Sequence, residues 1–253
     1  MAEPLTVIDT FSGIGGFSYA AEKLVGGFKT VAFVECEPYA QKILKKHWPN
    51  VPIHDDIKTY KPEPYSADVI CGGFPCQDIS VAGQGKGITE ETRSGLFYEL
   101  IRVIRLVRPK FIVLENVAAI LNNGLGIVLG ELAQAGFDCE WACIPASALG
   151  ACHQRDRWWL VAYPSSVNRR QKGEVQARRN TFTRSSTPNQ RDLLSPDWRS
   201  YTSEPVLRRG DDGLSNGVHR LKALGNSIVP QVAAIPLQRV KELSLLQNVT
   251  MQA

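Results

Sequence analysis

Over the first 160 residues, apolar runs of strand length alternate with stretches of helical periodicity, and this alternation restricts the fold more than any other feature. Thr6 to Phe11 (TVIDTF) reads as a strand ending in a glycine-rich turn, and Gly15 to Val25 follows as a helix. Thr30 to Val34 is a second strand. Pro38 to Trp48 is a second helix, with proline in the first turn, where its missing N–H has no partner to lose. Apparent strands at Val51 to Ile53 and Asp68 to Cys71 precede a helix over Leu96 to Val107, which Pro109 ends. Phe111 to Leu114 is a strand, Gly126 to Ala135 a helix closed by Gly136, and Phe137 to Ile144 and Trp158 to Ala162 are the last strands. Strands regularly separated by helices imply parallel βαβ units. The expected fold is α/β: a doubly wound, mostly parallel, Rossmann-like sheet.

The texture changes after Pro164. Residues 164–217 are rich in Arg, Ser, Thr, Asn and Pro and lack apolar periodicity. They are expected to form a small, loop-rich insert between a main domain (1–163) and a segment returning to it (218–253). In that segment Val229 to Leu243 reads as an amphipathic helix interrupted at Pro236. Within the insert, between Asn168 and Arg191, Arg169, Arg170, Lys172, Arg178, Arg179, Arg184 and Arg191 stand against the single acid Glu174, an excess larger than the whole chain's net +4. Nucleic-acid phosphates attract such a segment. From charge alone, a solvated basic loop explains it equally well.

A chain of 253 residues, 43% of them apolar, supplies one substantial core. No apolar run reaches the roughly 18–20 residues of a membrane span, and Met1 to Leu5 shows no basic-then-apolar leader. The expectation is a soluble, cytoplasmic protein. Cys36, Cys71, Cys76, Cys139, Cys143 and Cys152 contain no CxxC pair, so free thiols are expected. Cys139, Cys143, Cys152 and His153 fit no common zinc spacing, and no metal is expected.

Five places could carry chemistry. Gly13, Gly15 and Gly16 lie where the first strand meets its helix, a turn that lets a nucleotide-like ligand approach the backbone. Glu35, at the end of the second strand, can accept hydrogen bonds from ribose hydroxyls, and Asp56, past the next strand, can reach an amino group. Cys76 sits in Gly-Gly-Phe-Pro-Cys-Gln-Asp-Ile-Ser (72–80), a constrained loop past a buried strand; most cysteines are small buried hydrophobes, but this setting suits a nucleophile. Glu115, in Glu-Asn-Val at another strand end, is a candidate proton donor or hydrogen-bond partner. Arg155 and Arg157, two apart on an extended segment, point the same way. Each has a bland alternative: a structural turn, a solvated carboxylate, a satisfied polar residue, a surface ion pair. Their shared placement at one rim of a doubly wound sheet favours function.

In order, DTFSGIGGF, the acid in FVECE, DDI (55–57), GGFPCQDIS, RSGLFYEL, ENV, QRDRWWLVA and LGNSIVP resemble the motifs of the C5-cytosine DNA methyltransferase family. The resemblance covers residues 5–162 and 219–243. It implies a fold that binds S-adenosylmethionine, and transfer of a methyl group to C5 of a cytosine flipped out of double-stranded DNA. It implies that Cys76 adds to C6, that Glu115 holds or protonates N3, and that Arg157 contacts O2 with Arg155 supporting it. Phe11, Gly13, Ile14, Gly15 and Gly16 would cradle the cofactor, Glu35 its ribose, and Asp56 and Ile57 its adenine; Leu96, Asn226 and Ser227 would complete the pocket. Gln77 to Arg93 resembles the family's mobile loop, which carries Ser80 to the DNA. With the DNA contacts of the insert, Arg169, Arg170, Arg178, Arg179 and Arg184, it implies a monomer working on the nucleoid, alone or in a restriction-modification pair.

Three departures stand out. Cys36 follows Glu35 where many family members have an aromatic that stacks on adenine. Gln154 sits one place nearer to the Arg-x-Arg pair than the usual spacing. The stretch before LGN lacks its usual signature, and Trp198 to Gly213 takes its place. The insert is short, a trait that resembles phage or prophage versions. Methylation of RNA cytosine, the activity of one branch of the family, uses the same C5 chemistry and stays open, since phosphate contacts carry no sequence information. A catalytically dead nucleic-acid-binding protein and, distantly, a nicotinamide oxidoreductase are the remaining alternatives.

Overall fold

The computed structural model describes residues 3–75, 96–165 and 225–251. Seven strands form one sheet: β1 (Leu5–Thr10), β2 (Phe28–Val34), β3 (Ile53–His54), β4 (Val69–Gly72), β5 (Phe111–Val117), β6 (Phe137–Pro145) and β7 (Asp156–Pro164). Their order is β3-β2-β1-β4-β5-β7-β6. The first five pair in parallel, and β7 runs antiparallel between β5 and β6. The order turns back between β1 and β4. In a doubly wound sheet that switch point opens a crevice at the carboxyl ends of the strands.

The sequence reads as strand here because both faces of the sheet are covered, which calls for near-continuous apolar runs. All four residues of β4 are buried. Alternate residues feed two cores. Ile8, Ile70, Ile112, Leu114, Trp158 and Leu160 pack with α3 (Leu96–Val107) and α4 (Leu125–Gln134). Val7, Val69, Phe111, Val113, Trp159 and Val161 pack with α1 (Gly16–Tyr19), the π-helical turn Ala20–Val25 that continues it, and α5 (Pro230–Met251). Helix α2 (Pro38–His47) joins β2 to β3.

Two expectations are corrected. Helix α5 is not interrupted at Pro236 but runs through it. The missing hydrogen bond weakens the helix by about 3 kcal/mol, yet Val232 to Ile235, Leu237 and Val240 are buried around it, and their burial holds both turns in place. The apparent strand at Val51 to Ile53 shrinks and shifts to Ile53–His54 at the sheet edge. Strand β5 also runs further than the apolar run alone indicates, carrying Glu115 and Asn116 inside the ladder. Among the described residues no helix is long and apolar enough to cross a membrane, and no group of three or more His, Cys, Asp or Glu residues could hold a metal ion. Residues 166–224, which hold nearly all of the expected insert, lie outside the described residues.

Candidate active site

The turn after β1 is built by backbone geometry. Phe11 has φ +52°, a left-handed conformation unusual for a non-glycine residue. The Ser12 amide donates to the Val34 carbonyl at 3.3 Å, and the Gly13 amide donates to Glu35 Oε2 at 2.6 Å, so β2 and its terminal carboxylate hold the turn. Gly13 (φ +53°) faces open space: a Cβ there would meet nothing within 4 Å. Gly15 and Gly16 are needed for the opposite reason. A Cβ on Gly15 (φ +86°) would lie 2.7 Å from Trp48 Cζ3, and one on Gly16 would lie 2.6 Å from Ile228 Cγ1. Ile14, between Gly13 and Gly15, is half-buried.

Glu35 is almost wholly buried, and its Oε1 accepts the Glu37 amide at 2.8 Å. Each carboxylate oxygen keeps a second acceptor position, so the group can take hydrogen bonds from a vicinal diol. Asp56 is exposed, its Oδ1 accepting the Lys58 amide at 2.9 Å, and the neighbouring Ile57 is buried. Cys36 is exposed at the same rim. Leu96, the first residue of α3, packs half-buried on the core. An open Gly13 beside the buried acceptor Glu35, with the exposed acid Asp56 past the next strand, is a set of acceptors that fits a ribose-bearing cofactor.

The second half of the rim lies where β5 meets β7. Glu115 and Arg157 project to the same face of the antiparallel pair, and Arg157 Nε lies 3.0 Å from Glu115 Oε1. Burial holds the Glu115 carboxyl above its ordinary range, against the opposing pull of the Arg157 and Arg155 guanidiniums. It is therefore readier to carry a proton than a surface glutamate. Asn116 points to the opposite face, where it is buried and donates Nδ2–H to the Phe74 carbonyl at 3.2 Å. A Cβ on Gly73 would lie 3.1 Å from Glu115 Oε2. The chain entering Phe74 and Pro75 thus runs directly beside Glu115. Cys76 and Ser80 lie outside the described residues, as do Arg169, Arg170, Arg178, Arg179 and Arg184. Of the described thiols, burial raises Cys36, Cys71, Cys139 and Cys143 above the ordinary range, which makes them poor nucleophiles.

Arg155, with φ +35°, donates to the Gly225 carbonyl at 3.1 Å and to the Ser227 carbonyl. An open cleft of about 540 Å³ follows, lined by His153, Arg155, Arg157, Ser227 and Val229 among others. Asn226 is exposed and Ser227 half-buried at the same place.

Sequence reasoning passed over three contributors. Asn116 could have been found from strand alternation: beside Glu115 in β5 its amide faces the other core and must be satisfied there. Asp9 is fully buried, with Oδ2 accepting the Ser18 amide at 3.2 Å and Ser18 Oγ at 2.8 Å, while Oδ1 has no partner among the described residues. Burial pushes its carboxyl up to about 7, against those hydrogen bonds. Trp48 packs over Gly15 and donates Nε1–H to Glu22 Oε2 at 3.0 Å, while Glu22 Oε1 accepts the Thr30 amide at 2.8 Å. Nothing local in the sequence marks the Trp48 contact.

Known proteins resemble the chain in sequence and in fold. The family profile described as C-5 cytosine-specific DNA methylase matches residues 5–209. The Type II methyltransferase M.CviJI of Paramecium bursaria Chlorella virus IL3A is 35% identical over 158 residues, 61% of this chain and 42% of that protein. The Type II methyltransferase M.HpaII of Haemophilus parainfluenzae is 34% identical over 177 residues, 66% of this chain and 48% of that protein. A solved Escherichia coli structure, a putative DNA modification methyltransferase encoded within a prophage, superposes with TM-score 0.51 at 25% identity, covering 65% of this chain and 48% of that one. The chain thus spans less than half the length of these relatives. The profile covers most of the chain, and its span takes in the glycine turn, Glu35, Glu115 and Arg157. The chain belongs to the C-5 cytosine-specific DNA methylase family.

Proposed function

We propose that the chain transfers a methyl group from S-adenosylmethionine to C5 of cytosine in double-stranded DNA, with Cys76 as the nucleophile. The observation that carries this reading is the Glu115–Arg157 pair, 3.0 Å apart at the carboxyl rim, beside the chain leading into Phe74 and Pro75. When bound, S-adenosylmethionine supplies an electrophilic methyl group. Phe11, Gly13, Ile14, Gly15 and Gly16 shape its bed; Glu35 accepts its ribose hydroxyls; Asp56 and Ile57 border its adenine; Leu96, Asn226 and Ser227 close the pocket.

An isolated cytosine ring resists both attack at C6 and electrophiles at C5. The Cys76 thiolate adds to C6 while Glu115, whose carboxyl burial makes readier to carry a proton, donates to N3 and takes up the charge that the addition creates. Arg157 binds O2 and orients the ring. The addition would make C5 nucleophilic enough to take the methyl group that bound S-adenosylmethionine would supply, and loss of the C5 proton to water would re-form the C5–C6 double bond and expel the Cys76 thiolate. A base inside a duplex offers C6 to no thiol, so the target nucleotide is flipped out. Ser80 and the insert arginines Arg169, Arg170, Arg178, Arg179 and Arg184 contact the DNA backbone. The chain works as a monomer, in the cytoplasm on the nucleoid, and needs no metal.

The test is methyl transfer from labelled S-adenosylmethionine to DNA and to tRNA side by side, with 5-methylcytosine mapped in the products. The expected result is transfer to DNA that disappears in Cys76→Ala while DNA binding persists. Transfer to tRNA alone, or undiminished transfer by Cys76→Ser, overturns the reading.

A further inference from the structure

We propose that Arg155 is a positioning residue whose guanidinium braces the cofactor pocket from the side of the last helix. The proposal rests on the reading of the pocket given above. Arg155 lies one residue before β7, and the preceding Gln154 is pinned by the Ala146 amide, which donates to its carbonyl at 2.7 Å. From there Arg155 reaches across 70 and 72 positions of sequence to the carbonyls of Gly225 and Ser227. These carbonyls flank Asn226 in the segment that leads to α5. That segment closes on the glycine turn, since Ile228 fills the space where Gly16 would carry a Cβ. Gly16, Ile228, Ser227 and Arg155 therefore form one continuous path from the cofactor bed to the start of β7.

Two residues further on, Arg157 meets Glu115. The two arginines line the same cleft yet have different partners: Arg155 grips the Gly225 and Ser227 carbonyls, while Arg157 pairs with Glu115 and donates Nη1–H to the Asp156 carbonyl at 2.9 Å. Arg155 holds φ +35°, a conformation that persists in a non-glycine residue only where the surroundings enforce it. Its fork of donors spans two carbonyls at once, which a lysine ammonium cannot reproduce in the same geometry. The segment carrying Gly225 and Ser227 is thereby fixed before the cofactor arrives, and pre-fixing a wall raises affinity for whatever binds against it.

The division of labour is testable by binding alone. Affinity for S-adenosylhomocysteine is measured calorimetrically on the full chain without DNA, for the unaltered protein, Arg155→Met, Arg155→Lys and Arg157→Met. Two charge-assisted hydrogen bonds are lost in Arg155→Met, and an affinity loss of about tenfold to a hundredfold is expected. Arg155→Lys should recover part of it. Arg157→Met should bind within about twofold of the unaltered chain, while its turnover falls. In steady-state kinetics Arg155→Lys should raise the cofactor KM far more than it lowers kcat, a split that general loosening of the fold does not give. Should Arg155→Met fail to fold by circular dichroism, Arg155→Lys carries the test in the same assays. Unchanged affinity in the Arg155 variants, or equal loss in Arg157→Met, overturns the proposal. Cofactor binding with no methyl transfer to DNA by the unaltered chain would sink the proposed function and leave the brace standing. No cofactor binding by the unaltered chain would sink both.

Discussion

The Arg157 guanidinium meets the Glu115 carboxylate at 3.0 Å across the seam where the parallel sheet gives way to the antiparallel β7. Burial and ion pairing act on this carboxyl in opposite directions, and burial is the larger effect. Removing the guanidinium in Arg157→Met leaves burial less opposed, so the carboxyl should hold its proton to higher pH. The alkaline limb of kcat/KM should therefore move upward in pH in that variant. Glu115→Gln, which cannot transfer a proton, should lose about a hundredfold or more in kcat. An alkaline limb that stays put in Arg157→Met would show that Glu115 is not the group titrating.

Gly73 tests the same carboxylate from the other side. Its Cβ would lie 3.1 Å from Glu115 Oε2, so Gly73→Ala crowds the carboxylate from the side opposite Oε1, which Arg157 holds. A drop in kcat of about tenfold is expected, equivalent to 1.4 kcal/mol in the barrier. The unfolding temperature should change by less than about 4 °C, because the contact is to the end of a side chain. A large thermal shift without a kinetic effect would contradict this assignment.

Gly15 and Trp48 should behave as a coupled pair. Gly15→Ala places a Cβ 2.7 Å from the indole at φ +86°, so strain and overpacking together should destabilise by about 3 kcal/mol or more. Trp48→Leu opens the space but breaks the bond to Glu22. In the double variant the two losses should sum to less than their separate values. Full additivity in denaturant unfolding would mean that the ring does not support the turn.

Asp9 makes stability depend on pH. Its folded pKa is raised from 3.8 to about 7, so its contribution is fully present below pH 4 and lost as pH rises through 7. Asp9→Asn should remove this component. Between pH 5 and pH 8 the unaltered chain should lose on the order of 3 kcal/mol more stability than the variant. Parallel urea midpoints for the two proteins would contradict the assignment.

The basic insert is tested by salt. Replacing Arg178 and Arg179 together with alanine should weaken DNA binding at every sequence alike. The slope of log affinity against log salt should fall by about two. An unchanged slope removes this pair from the interface.

Much of this protein could be read along the chain because its determinants are local. Alternating apolar runs define β1, β2, β4, β5 and the helices between them, since burial on both faces of a parallel sheet imposes that pattern. The acids at strand ends and the glycines at the first turn were visible for the same reason. The continuity of α5 through Pro236 was not, because burial on both sides of the proline decides it. The shift of the edge strand to Ile53–His54 depends on pairing with β2, which no short window contains.

By itself the sequence determined the strand–helix alternation, the family motifs and the residue types at the rim, all of which depend on neighbours a few positions apart. Only the tertiary structure decided that Asn116 ties the chain before Cys76, that Trp48 backs Gly15, and that Arg155 grips Gly225 and Ser227 while Arg157 takes Glu115. Such pairings join residues tens of positions apart, and their geometry exists only once the sheet has closed the distance.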